Sequence, residues 1–99
     1  MASIWDALAV TSHRDRDLIE HEAARAGIQQ ELRATHRETA EYVEGYSISH
    51  PDELEYLMAS GQIPGHPAWE HRIDWSNLLL YRKRLLTMLA HLTKAGTHA

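Results

Sequence analysis

Histidine is the residue type most able to do chemistry here, with eight among 99 residues. His13, Asp17 and His21 recur every four positions, so on a helix they stand one above another and offer two imidazoles and a carboxylate to zinc or another divalent metal. About 40° of angular drift accrues at each four-residue step, which spreads the three groups apart. No fourth ligand is specified, and the other histidines are scattered along the chain. The expectation is therefore solvated or capping histidines, with no bound metal and no cofactor. A di-iron bundle needs Glu-x-x-His on two helices, and that pattern does not occur. His66 and Glu70 have the other helical ligand spacing but straddle Pro67, which places His66 at a helix start as a cap.

A second polar constellation is His21, Arg25 and His36, which share the apolar seam of one helix with Leu18, Ile28, Leu32, Thr39 and Val43. They admit a pocket for an anion or small ligand. The simpler role is that their stems cover apolar surface while their heads reach water. There is no Gly-rich phosphate loop, Gly-x-Ser-x-Gly elbow or His-Glu-x-x-His pair, and the absence of cysteine removes thiolate chemistry. The chain is expected not to be an enzyme.

Charge bounds the partners. Ten Lys+Arg stand against 14 Asp+Glu, a net charge of −4, which opposes binding to a phosphate backbone. A DNA-reading helix-turn-helix also fails, because the connection Gln62-Ile63-Pro64-Gly65-His66-Pro67 is too long and too stiff. No nucleic acid is expected. No membrane is expected either, since no apolar run approaches the roughly 20 residues of a span. The N-terminus lacks the basic region of a signal peptide, so a cytoplasmic site, or one within a larger assembly, is expected.

These groups must be positioned by helices. No segment alternates as a strand would, and the stops fall at Gly45, Gly61 and Pro64-Gly65. Ser3 with Asp6 opens a short helix over about 4–10 carrying Ile4, Trp5, Leu8 and Val10, and Ser12 with Asp15 suggests a fresh start after a break near Thr11-Ser12. A long helix over about 13–44 follows, continuous through Gly27 because no new cap comes after it. Ser49-His50-Pro51-Asp52 starts a short helix over about 50–60, with Ser49 as cap and Leu54, Leu57 and Met58 inward.

The last helix, about 67–95, has the strongest pattern. Trp75, Leu78, Leu79, Tyr81, Leu85, Leu86, Met88, Leu89 and Leu92 share one broad face, and Trp69, Ile73 and Leu80 line the opposite side of its first half. That second stripe then becomes basic at Lys83 and Arg84. The expected fold is one all-α domain spanning 1–99, a small bundle of two long antiparallel helices with two short ones closing its ends.

The function expected of such a chain is protein–protein contact, as a subunit or adaptor in a homo- or hetero-assembly. A virion or other supramolecular structural component fits, as does a small regulatory protein docking on one host target; a histidine-based metal- or ligand-binding protein is the competing class. Trp5, Trp69 and Ile73 are the apolar contact candidates, because three tryptophans are many for so small a core. Glu38, Glu41 and Glu44 against Lys83 and Arg84 are the charged ones. The three acids sit at a helix C-terminus, where the macrodipole disfavours anions, and no base accompanies them or Asp52, Glu53 and Glu55. A solvated face of mixed charge is the simpler reading, and head-to-tail contact between copies, acidic end against basic end, is the alternative.

Overall fold

In the computed structural model the backbone is described for residues 3–97 and side chains for residues 16–94. Three helices follow one another: α1 over Ser3–Tyr46, α2 over Pro51–Ala59 and α3 over Gly65–Thr97. Residues 3–97 contain no strand. The all-α expectation holds, and α1 and α3 pack side by side with α2 against α3. The two long helices run antiparallel: Tyr46 meets His71, Tyr42 meets Trp75 and Glu31 meets Tyr81.

The expected break near Thr11-Ser12 is absent, and the expected 4–10 helix is the first part of α1. Serine and threonine each cost only a fraction of a kcal/mol inside a helix, so a capping signature without glycine or proline does not suffice to end one. Gly27 is helical, as expected. Gly45 does not stop α1 either; the helix reaches Tyr46, and the left-handed turn falls on Ser47, with φ 56. His50 rather than Ser49 caps α2, its Nδ1 accepting from the Asp52 amide at 3.2 Å. At the other end Gly61, with φ 76, forms a Schellman turn: its amide donates to the Met58 carbonyl, and that of Gln62 to the Leu57 carbonyl. Within α3, His66 is extended (φ −118, ψ 129) and joined to Pro67 by a cis peptide, so the regular helix begins at Pro67.

The α1 seam repeats every seven residues: Ile28 and Thr35 are buried, Tyr42 is half-buried, and Leu32, Thr39 and Tyr46 flank them half-buried. Thr35 satisfies its hydroxyl by donating to the Glu31 carbonyl at 2.8 Å. Of the residues assigned to this seam from sequence, the polar Arg25 and His36 are exposed, and two apolar ones also lie outside it. Val43 is 38% exposed because Tyr42, one position earlier, takes the central place, and Leu18 is 57% exposed because only the last turn of α3 reaches so far along α1. On α3, Trp75 and Leu85 are buried, with His71, Leu78, Leu79, Leu89 and Leu92 half-buried.

The compact core sits at the hinge, where Leu54, Ala68 and Trp75 are surrounded by Tyr42, Tyr46, Ile48, Met58, Ile63 and Leu79. Beyond it the molecule is a two-helix arm, 78 × 23 × 16 Å overall. Its radius of gyration is 21.7 Å; a compact chain of this length has about 13 Å. Its accessible surface of 7679 Å² is about a third larger than the roughly 5,700 Å² typical of a folded monomer of this mass.

Candidate interaction surface

The hinge cluster is where polar chemistry is most concentrated. Trp75 is 1% exposed and stacks on Tyr42, ring centroids 5.7 Å apart and planes 15° from parallel. The Tyr46 hydroxyl and His71 Nδ1 share a hydrogen bond at 2.6 Å, and both tyrosine rings also lean on the His71 ring. Burial, then the carboxylates of Asp74 and Glu38, raise the Tyr42 pKa above the ordinary phenol value, and burial alone raises that of Tyr46. Tyr81 is raised chiefly because its hydroxyl donates to Glu31 Oε2 at 3.0 Å. A phenol above its ordinary range keeps its proton near neutrality and so remains a hydrogen-bond donor.

Arg72 ties α2 to α3. Its Nη2 donates to Glu55 at 2.9 Å and lies 4.0 Å from Asp52. The acidic stretch therefore does have a base, supplied from across the hinge, which sequence spacing did not reveal. The Arg72 Nε is buried and has no hydrogen-bond partner among the described residues.

The charged and apolar candidates lie on the outside of the hairpin. Trp69 is 60% exposed, Leu80 48% and Ile73 38%. They stand on the side of α3 facing away from α1, so the second apolar stripe exists and its own chain leaves it uncovered. Lys83 and Arg84 are exposed on the same side, one turn further along, and among the described residues neither has an ion-pair partner within the chain. Glu38, Glu41 and Glu44 are exposed on α1. The antiparallel pairing brings Glu38 beside Tyr42 and Asp74, and Glu44 into a groove with His36 and Arg82. The basic run Arg82-Lys83-Arg84 of α3 thus lies near mid-hairpin rather than at its far end.

The side chains of Trp5 and His13 lie outside the described residues. The backbone still decides one matter. An unbroken α1 carries its first turns about 60 Å from the hinge at 1.5 Å per residue, so the N-terminal segment does not clamp Trp69. Asp17 is exposed and His21 half-buried, and among the described residues no cluster of His, Asp and Glu is arranged to hold a metal ion.

The seam pocket foreseen at His21, Arg25 and His36 forms differently. His36 lines a groove of about 450 Å³ with Arg33, Arg37, Arg82, Leu32 and Leu86, in which neither His21 nor Arg25 takes part. Arg33 and Arg37 are four apart on α1, a visible signal; that Arg82 joins them depends on the register of α3 against α1. On the opposite side of the hairpin the corresponding grooves are acidic, with Glu31 in one and Glu38 and Asp74 in the other.

The chain belongs to the Uncharacterized protein MJ0235 family, whose sequence profile matches residues 2–97. No curated protein and no solved structure matches it.

Proposed function

We propose that this family member is a non-catalytic assembly protein, a subunit or adaptor that works by protein–protein contact. The observation that carries this reading is the exposed stripe of Trp69, Ile73 and Leu80 on a hairpin with about a third more surface than its mass calls for. Tryptophan and isoleucine side by side on an outer helix face are costly to leave in water, and tryptophan is the residue most enriched among energetic anchors of interfaces. The bases that continue the stripe would guide a partner's orientation more than its affinity. A place within a virion or other large assembly, and docking on a single host target, are both forms of this reading.

Molar mass in solution over a wide concentration range tests it, first alone and then with candidate partners. Association that falls as salt rises from 0.1 to 1 M, where the Debye length shrinks from about 10 to about 3 Å, indicates a charge-guided interface; association unchanged by salt indicates an apolar one. A strict monomer with no partner refutes the proposal.

One observation favours a second reading, a docking groove for an acidic ligand. Arg33, Arg37 and Arg82 converge with His36 over a floor of Leu32 and Leu86, and among the described residues these three arginines have no ion-pair partner in the chain. Calorimetric titration with inorganic phosphate and with an acidic peptide checks it; binding that persists in Arg82→Ala excludes this groove.

A further inference from the structure

We propose that the occupant of the outer α3 face is a second copy of the same chain, docked antiparallel across a two-fold axis passing between Ser76 and Asn77. This rests on the assembly reading above and gives it a partner and a geometry.

The pattern along the face is self-complementary. Trp69, Ser76 and Lys83 recur every seven residues along one edge, Glu70, Asn77 and Arg84 along the other, and Ile73 and Leu80 lie between them. When two antiparallel helices face each other, like edges meet. A two-fold between Ser76 and Asn77 then sets Ile73 against Leu80 of the second copy, Glu70 against its Arg84, and Trp69 against its Lys83, each contact made twice by symmetry. The three kinds of contact are chemically distinct and each is favourable: apolar against apolar, carboxylate against guanidinium, and an indole face against an ammonium. The small Ser76 at the axis allows the helices to approach closely.

Other registers and faces fare worse. A parallel pairing brings unlike edges together instead, which sets Lys83 beside Arg84 of the second copy and leaves Glu70 away from the bases. The outer side of α1 from Gln30 to Glu44 carries charges of both signs, at Arg33, Arg37, Glu41 and Glu44, without the large apolar residues that anchor a contact. The face is also free in the single chain. Glu70 lies 3.7 Å from His66 Nδ1 but stays more than half exposed, and Lys83 and Arg84 are exposed without an ion partner among the described residues.

The absence of cysteine makes a direct test available. Single-cysteine variants Ser76→Cys and Asn77→Cys, mildly oxidised with copper phenanthroline, should form disulfide-linked dimers rapidly, since a disulfide needs Cα atoms within about 7 Å. Ala26→Cys, exposed on α1, is the control and should cross-link slowly. A charge swap gives an independent arm. Glu70→Arg and Arg84→Glu should each weaken dimerisation about ten-fold or more, because each places like charges together twice. The double variant should restore it, with helicity by circular dichroism constant throughout. If the chain associates but neither cysteine outpaces the control and the double variant stays weak, the two-fold is wrong while the assembly reading stands. If the parent chain is a monomer at every concentration, self-pairing is wrong, and the assembly reading then depends on capture of a different protein.

Discussion

Trp75→Ala should nearly unfold this protein, and the structure gives the size of the effect. Trp75 is 1% exposed at the point where α1, α2 and α3 converge, stacked on Tyr42 and packed with Leu54 and Ala68. A tryptophan buries about 150–250 Å², which at about 25 cal/mol per Å² corresponds to about 4–6 kcal/mol. Removal of large aromatic side chains from cores costs about 3–5 kcal/mol, cavity included. Against a total of about 5–15 kcal/mol for a typical domain, that leaves little cooperative stability. Urea unfolding followed by far-ultraviolet circular dichroism, at fixed protein concentration, is the assay. With a slope near 1 kcal/mol/M the midpoint should fall by about 3–5 M, or the transition should disappear. Trp75→Phe keeps a ring against Tyr42 and should lose about half as much. If Trp75→Ala unfolds within about 1 kcal/mol of the parent, the hinge is not the core, and stability resides in the arm or in association.

Leu85→Ala should cost about 2–5 kcal/mol because Leu85 is buried, and Leu89→Ala less because Leu89 is half-buried; denaturant midpoints in the reverse order would misplace the seam. Trp69→Ala should change the stability of the single chain by under about 1 kcal/mol while weakening association, read by sedimentation; lost stability with association intact would refute the docking role. Tyr42 and Tyr46 hold their protons more tightly folded than unfolded. Their contribution is therefore fully present below about pH 10 and is lost as pH rises through the folded values. The Tyr42→Phe, Tyr46→Phe double variant should accordingly lose stability less steeply above that pH in denaturant titrations, and an equal slope would contradict the shifts. Thr35→Val should be neutral or stabilising by up to about 1 kcal/mol, because the Glu31 carbonyl that accepts from Thr35 keeps its helical partner; a large loss in calorimetry would mean the hydroxyl has another role.

Much of the fold was legible along the chain because its signals are local. Gly61 ends α2 since a Schellman turn requires a left-handed residue, Pro51 and Pro67 open helices since a first-turn residue needs no N–H donor, and the apolar stripes of α3 follow from its 3.6-residue period. The exposed candidates Trp69 and Ile73 were likewise visible as a second stripe. What failed was local signal without a local consequence: Ser12 with Asp15 resembles a cap, yet α1 passes through it because nothing there forbids helix.

Only the tertiary structure decided how the two long helices meet. Their register makes Thr35 and Tyr42 seam residues and moves Val43 out, supplies Arg72 to Glu55 and Asp52, and carries Arg82 to Arg33 and Arg37. It also leaves the outer face of α3 uncovered. Helix formation is fixed by φ/ψ preferences and hydrogen bonds within four residues, which sequence states directly. Pairing across 25 to 50 residues is set by the sum of many weak side-chain contacts, whose balance exists only once both helices are in place.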